Sequence, residues 1–531
     1  MSSTNKDLLM SLKEIADMAG VSHSAVWNWR KRKSLVRDFP QPRIETASGP
    51  LFDFQEVHEW LTLTQKINSS QTPTMPILVA TNLLRSYMDS FSVTAFTVAT
   101  LVYLEACKRS NEKGSSVKVT SSSTWESVSQ VSLEKRFSAL LKATQEIEQA
   151  NSSMSGTMTN GIELGSRIPA ETFDTFFNVC NSGWGESRAY GPLLKIIISR
   201  SSGQGSRFGY ERSTPQDLAT ILALIANGRG KRVFDPAVGT SNVFMRMLEL
   251  GDVNKSHEFI GYDLNEASIA ISKGMFFLLN QQAQFEVKDS LKDWDLESVH
   301  ADVVILDPPF GESPSSTSEE VPANEWPFGD LRSNSRDFAW FYVAWKALRP
   351  GGIGLVFTSQ SPASRGGNEG RIRQAMLNGG AVASVVSLPG NVREIPAVPQ
   401  LLWVLCKREN AVEPRSLQLI DATTIGKPGR RGRELHQFTD EELNALAQVV
   451  GGHLSGNDTR TGVAITQKLI DPAQLVEGNI LQAIKEMNQP AMEDVNTLKG
   501  KTARLAADLE ASLKAANTAV TKLLVLLKDL P

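Results

Sequence analysis

The sequence predicts an α/β doubly wound sheet, with helical segments before it and one long helix after it. Three observations predict this. Between residues 231 and 306, short apolar strand patterns alternate with amphipathic helix patterns, as in parallel strands joined by crossover helices. Each of these strands ends in an aspartate or is closely followed by one: Asp235, Asp263, Asp289 and Asp307. Carboxylates at successive strand ends converge on one sheet edge, where such folds bind ligands. Third, residues 492–530 lack proline and carry apolar or small residues at heptad spacing, Val495, Leu498, Thr502, Leu505, Leu509, Ser512, Ala516, Ala519, Leu523 and Leu526. That pattern predicts a coiled-coil seam.

A chain of 531 residues exceeds one hydrophobic core. The expected division is a small N-terminal domain at 1–65, a helical domain at 66–200, the α/β domain at 201–455 and a helical C-terminal region at 456–531. Hydrophobic content of 41% and charged content of 21% are those of a globular protein. No signal peptide and no uninterrupted apolar run of about 18 residues is visible, so no membrane span is expected. Cys107, Cys180 and Cys406 are isolated, which suits a reducing, cytoplasmic setting and excludes a disulfide framework or a cysteine metal cluster. No metal is expected. With a net charge of −3, any nucleic-acid contact must come from basic residues concentrated locally.

In chain order, residues 9–29 read as two short helices around a turn. Leu12, Ile15, Ala16 and Met18 form an apolar face, Gly20 supplies the turn, and Ser22 precedes a helix with Ala25, Val26 and Trp29. Arg30, Lys31, Arg32, Lys33, Arg37 and Arg43 follow, then a short β region, and Phe52-Asp53-Phe54 opens another helix. Residues 9–62 resemble the small winged helix-turn-helix domains of excisionase and MerR-type regulators, whose second helix enters the major groove. The resemblance implies that Ser22, His23, Ser24 and Asn28 face DNA and that Arg30, Lys31, Arg32 and Lys33 meet phosphates. A helical pair used for protein contacts is the alternative. Residues 63–200 are helical by pattern, with an apolar stretch from Ile77 to Ala106 and an amphipathic helix from Leu133 to Ala150. Ser201–Gly205 reads as a flexible joint.

The α/β segment begins with the strand Lys231–Asp235. The turn Pro236-Ala237-Val238-Gly239-Thr240-Ser241 follows, then the helix Asn242–Leu250. A glycine in such a turn lets a ligand approach the backbone, and the helix N-terminus favours negative ligand groups. A phosphate cradle would want a lysine and more glycines. The second strand, Phe259–Asp263, ends in an acid placed to accept ribose hydroxyls, and Leu264 follows it. The helix Glu266–Gln281 and a third strand, Phe285-Glu286-Val287, lead to Asp289 and Ser290. The fourth strand, Val303–Leu306, runs into Asp307-Pro308-Pro309-Phe310. Two prolines stop the hydrogen-bond ladder and stiffen the exit. Such a turn presents a carboxylate, an unpaired carbonyl and a flat ring to one planar group. An exocyclic amine, with two N–H donors, matches the Asp307 carboxylate and the Pro308 carbonyl, and Phe310 is placed to stack on its ring.

This strand-end Asp-Pro-Pro-Phe resembles the catalytic motif of amino-methylating DNA methyltransferases. Tyr210, Thr214 and Pro215, ahead of the first strand, resemble the segment that closes over the methionine part of S-adenosylmethionine. With the catalytic stretch after the cofactor strands, this is the order of the gamma-class N6-adenine enzymes. Asp337-Phe338-Ala339-Trp340, Arg349-Pro350-Gly351-Gly352, the strands Ile353–Phe357, Val385–Leu388 and Gln400–Cys406, and residues 411–450 extend the likeness to the modification subunits of type I restriction systems. The resemblance implies S-adenosylmethionine bound by Tyr210, Thr214, Pro215, Asp235, Pro236, Ala237, Gly239, Thr240, Ser241, Asp263, Leu264, Asp289 and Ser290. It implies catalysis at Asp307, Pro308, Pro309 and Phe310. Its partners would be double-stranded DNA, a specificity subunit or a second copy through the C-terminal helix, and a restriction nuclease. The chain departs from the pattern at Asp307, where most members carry Asn, and at Val238 and Ser241-Asn242 in the first turn. The winged domain is also unusual. N4-cytosine methylation, methylation of RNA or of a protein glutamine, and a decayed DNA-binding regulator are the alternatives. No cysteine suited to carbon-5 methylation follows a proline.

Overall fold

The computed structural model describes residues 9–19, 21–31, 37–46, 49–66, 75–182, 190–201, 214–251, 257–292, 295–309, 326–329, 331, 337–393, 399–407, 416–429, 435–457, 459–475, 478–487 and 495–528. Near the N-terminus, β1 (Leu9–Ser11), β2 (Ile44–Thr46) and β3 (Gly49–Asp53) form a three-stranded antiparallel sheet in the order β1-β3-β2. It packs with the helices Leu12–Ala19, His23–Lys31 and Phe54–Leu63. The Asp53 side chain caps the last of these, accepting from the Gln55 and Glu56 amides, which satisfies two otherwise orphaned donors.

The central sheet has nine strands. In chain order they are β4 (Arg232–Asp235), β5 (Glu258–Asp263), β6 (Ala283–Val287), β7 (Ala301–Leu306), β8 (Leu348–Thr358), β9 (Val382–Ser387), β10 (Leu401–Cys406), β11 (Leu417–Asp421) and β12 (Thr466–Ile470). Their spatial order is β12-β11-β9-β10-β8-β7-β4-β5-β6. Strands β4 to β8 run parallel, and β10 lies antiparallel between β8 and β9. From β4 the chain winds outward through β5 and β6, then returns to lay β7 on the other side of β4. That reversal is a topological switch point, and ligands of such sheets sit there, at the carboxyl ends of the strands.

Side chains alternate strictly across the sheet. Val233, Val303, Ile305, Leu355, Phe357, Leu402 and Val404 face one core, while Phe234, Val304, Leu306, Val356, Leu401, Trp403 and Leu405 face the other. Burial on both faces explains why these strands read as continuous apolar runs. The first core is closed by helices that include Ser90–Ser110, Gln216–Ala226, Asn242–Leu250, Glu266–Leu278 and Asp440–Leu454. The second is closed by Asp337–Ala347, Gly367–Asn378 and Ile480–Met487.

The segment Gln400–Cys406 contains an interior strand, antiparallel to β8 and β9. One expectation changes. The expected boundary at 455/456 falls inside the α/β domain, because β12 pairs antiparallel with β11. The helix Ser90–Ser110 is long and apolar enough to cross a membrane by length and composition, but 89% of that stretch is buried within the protein. It is a core helix, packed on Glu266–Leu278 and Tyr190–Ser201. The predicted long C-terminal helix is present as Val495–Lys528. Its described side chains are exposed, Leu505 at 70% and Leu509 at 66%, so the protein itself does not cover the predicted seam there.

Candidate active site

The strand ends gather the predicted acids. Asp235 closes β4, Asp263 closes β5, and Asp307 follows β7 directly. Because β4 pairs with both β5 and β7, the three carboxylates share one edge.

The turn after β4 is shaped by backbone hydrogen bonds to these acids. The Ala237 amide donates to Asp235 Oδ1 at 2.9 Å. The Gly239 amide donates to Asp263 Oδ2 at 2.8 Å, and the Asn265 amide to Asp263 Oδ1 at 2.8 Å. The Val238 amide donates to the Tyr262 carbonyl. Ser290 Oγ donates to the Pro236 carbonyl at 2.6 Å, and the Asn242 side-chain amide donates to the Thr214 carbonyl. Gly239 has φ +52°, a conformation glycine adopts without strain. Ser241 has φ +57°, a conformation that costs a non-glycine residue about 1–2 kcal/mol. A methyl group at Gly261 would meet Phe285 and Val238 at 2.9 Å, so this glycine lets the turn lie flat against β5.

Several groups await a partner. Thr240 Oγ1 and Ser241 Oγ are buried without a hydrogen bond. Burial pushes the Asp235 carboxyl well above the usual carboxylate range, against the Ala237 amide, and the neighbouring Asp263 and Asp307 raise it further. Burial also raises Asp263, opposed by the Asn265 and Gly239 amides. Leu264 stands 67% exposed beside them. A ligand carrying positive charge, a flat ring and hydrogen-bonding groups would relieve all of these. That is the chemistry of S-adenosylmethionine, and the residues fit it. Asp263 already accepts one amide on each oxygen, which leaves one lone pair on each for a ribose. Asp289 Oδ1 accepts from the Leu291 amide at 3.1 Å, and Oδ2 lies 3.5 Å from Lys292 Nζ. Tyr210 and Phe310 lie outside the described residues.

The Asp307 corner differs from the open turn expected from sequence. Arg393 Nη2 donates to Asp307 Oδ1 at 2.6 Å, and the two side chains are 7% and 5% exposed. Asp307 Oδ2 is buried and unpartnered. Pro308 is buried, Pro309 is exposed, and among the described residues no amide donates to the Pro308 carbonyl. Sequence reading missed Arg393, because an isolated arginine 86 residues away carries no local signal. It also missed Gln400, fully buried at the start of β10 with neither side-chain amide atom hydrogen-bonded.

In the N-terminal unit, Ser22, His23, Ser24 and Asn28 are exposed along one helix and its cap. Arg30 is not a free cation: it pairs with Glu45 at 3.1 Å. Lys31 lies 5.0 Å from the Trp27 ring, an exposed aromatic that sequence reading passed over. Arg32 and Lys33 lie outside the described residues.

Residues 188–472 match the model of the N-6 DNA Methylase family. The chain belongs to the N-6 DNA methylase family. Among curated relatives of this chain, the Type I restriction enzyme HindI methylase subunit of Haemophilus influenzae is 23% identical over 269 residues, 49% of this chain and 59% of the relative. The MjaIX methylase subunit of Methanocaldococcus jannaschii is 21% identical over 285 residues, 51% of this chain and 50% of the relative. The chain thus spans about half the length of the curated relatives it matches. A type I restriction-modification methyltransferase subunit from Streptococcus thermophilus superimposes with TM-score 0.61 at 18% identity, covering 78% of this chain and 98% of that structure. A modification subunit of a type I enzyme from Vibrio vulnificus gives TM-score 0.55 at 14% identity, covering 78% and 99%. At these identities the likeness is one of fold.

Proposed function

We propose that this methylase transfers the methyl group of S-adenosylmethionine to N6 of adenine in double-stranded DNA, as the gamma-class modification component of a cytoplasmic restriction-modification system. The observation that carries the reading is the Asp307-Pro308-Pro309 corner at the switch-point edge, beside the buried Asp235 and the half-buried Asp263, whose carboxyls are raised. When bound, S-adenosylmethionine supplies a methyl group whose bond to a positively charged sulfur breaks with its electron pair left on sulfur. Asp235, Pro236, Ala237, Gly239, Thr240, Ser241, Asp263, Leu264, Asp289 and Ser290 would hold it, with Tyr210, Thr214 and Pro215 closing from the preceding segment.

The target adenine leaves the base stack, because its amino nitrogen is otherwise out of reach. Its two N–H groups donate to Asp307 Oδ2 and to the Pro308 carbonyl, and Phe310 stacks on the ring. Those bonds draw the nitrogen lone pair out of conjugation, so it can form the new N–C bond. The surplus proton leaves the nitrogen for water afterwards, so Asp307 need not be a strong base. Positioning supplies much of the acceleration.

The winged unit would read the duplex through Ser22, His23, Ser24 and Asn28, with Arg30, Lys31, Arg32 and Lys33 on phosphates. Arg30 would exchange Glu45 for a phosphate, since an exposed ion pair is weak. The exposed Leu505 and Leu509 of the helix Val495–Lys528 support docking to helices of a specificity subunit or of a second copy, with a restriction nuclease in the same assembly. The test is mass spectrometry of nucleosides from cells with and without the gene. N6-methyldeoxyadenosine that depends on the gene supports the reading. N4-methyldeoxycytidine in its place, or no gene-dependent mark, overturns it.

A further inference from the structure

Asp307 occupies an unusual electrostatic position for a group that must greet a neutral amine. Asp235 and Asp263 share its edge, and among the described residues none of the three has an ion-pair partner except Asp307, which has Arg393. Both members of that pair are buried, so neither charge is screened by water. Losing Arg393 would strand Asp307 as an uncompensated buried charge. Arg393 reaches Asp307 from the loop after β9, across 86 residues of sequence. Three features fix that loop next to Asp307. Asn391 takes φ +62°, its carbonyl accepts the His436 amide at 2.8 Å, and Val392 is buried. The guanidinium takes Oδ1 and leaves Oδ2 buried and unpartnered. One acceptor on Asp307 and one on the Pro308 carbonyl then match the two N–H donors of an exocyclic amine.

We propose that Arg393 is a positioning residue for methyl transfer, which neutralises Asp307, fixes its carboxylate plane and presents Oδ2 alone to the target amine. The inference rests on the reading of Asp307 given under Proposed function and extends it. Arg393 touches neither the base nor the methyl donor; it acts through Asp307. One consequence separates it from a simple catalytic carboxylate. Asparagine at 307 has a single acceptor oxygen, which Arg393 would claim as it claims Oδ1, turning the side-chain NH2 toward the target amine. Asp307→Asn is therefore expected to be poorly active because of Arg393, and removing Arg393 as well restores activity.

The experiment uses the protein with the subunits that co-purify from the cells that encode it, tritiated S-adenosylmethionine, and DNA from a strain lacking the gene. Cofactor affinity and thermal midpoint are measured for every variant, and rates are normalised to the cofactor-bound fraction. Arg393→Met and Asp307→Asn are each expected to lower kcat by about thirtyfold or more, with cofactor affinity within about twofold of wild type. The double variant is expected to be about tenfold faster than the slower single variant, a non-additivity that independent sites do not produce. If Arg393→Met yields no folded protein, Arg393→Lys, which keeps the charge and loses the fork, is expected to lower kcat about tenfold at unchanged cofactor affinity. A rate for Arg393→Met or Arg393→Lys within about twofold of wild type overturns the inference, and so does a double variant no faster than the product of the singles. In those cases an active wild type leaves the adenine-methylation reading standing. A wild-type complex that transfers no methyl group to adenine overturns both.

Discussion

Two acidic corners share one sheet edge and are built in opposite ways. At the ends of β4 and β5, Asp235 and Asp263 are held by backbone amides, and their carboxyls are raised by burial and, at Asp235, by neighbouring acids. At the end of β7, Asp307 is held by a guanidinium. The first corner keeps a latent negative charge that a cationic ligand can satisfy. The second is already balanced and keeps one buried carboxylate oxygen without a hydrogen bond. On the proposed reading the same residue type at three neighbouring strand ends would serve two ligands of different charge, and the difference lies in what each carboxylate is bonded to.

The comparison breaks most sharply at Asp307. Asp307→Ala is expected to lower methyl transfer about a hundredfold to a thousandfold while changing cofactor affinity by less than about threefold, measured by tritium transfer and calorimetry. Equal losses in both would mean that the two corners are not separate. Asp235→Asn is expected to weaken cofactor binding about tenfold or more, since a desolvated charge partner is lost. It is also expected to raise the thermal midpoint of the cofactor-free protein by a few degrees, because a buried charge is removed.

The pH dependence follows with the same sign. A carboxyl raised in the folded protein contributes stability that is fully present below the ordinary value of about 4 and is lost as pH rises through its folded value. Asp235 and Asp263 therefore favour the cofactor-free fold in acid, while cofactor binding, which wants them ionised, weakens as pH falls through the raised values. Calorimetry across that window checks this, and Asp235→Asn is expected to flatten the profile. Gly261→Ala should lower stability by about 1–3 kcal/mol through overpacking against Phe285 and Val238, read from chemical denaturation. Leu264→Ser should weaken cofactor binding only about threefold, through lost apolar cover, and leave the thermal midpoint unchanged because the side chain is exposed.

The parts of this site that sequence revealed are those written in neighbouring residues. Val303 to Leu306 followed by Asp307-Pro308-Pro309 declares a buried strand and its stop, and the strand–turn–helix from Arg232 to Leu250 was read with the helix bounds the structure has. The parts it hid are made by distance or by backbone strain. The Asp307–Arg393 pair joins segments 86 residues apart, and no periodicity encodes it. Ser241 adopts a positive φ that a serine does not announce. Strand β12, Thr-Gln-Lys-Leu-Ile, is an edge strand in which Thr466, Lys468 and Leu469 are exposed and only Ile470 is buried, so its apolar signal is too thin to stand out. Arg30 reads as a phosphate contact, and its pair with Glu45, 15 residues away, carries no local signal. The C-terminal seam was legible as a heptad, but only the structure shows that its described side chains lie uncovered.

The most direct test is single-molecule sequencing of chromosomal DNA from cells carrying the wild-type gene, the gene deletion, or Asp307→Ala. The account predicts N6-methyladenine at a recurring motif in wild-type cells and its loss in both other strains, with the Asp307→Ala protein still folded and still binding S-adenosylmethionine. Adenine methylation that persists at wild-type levels in the Asp307→Ala cells would contradict it.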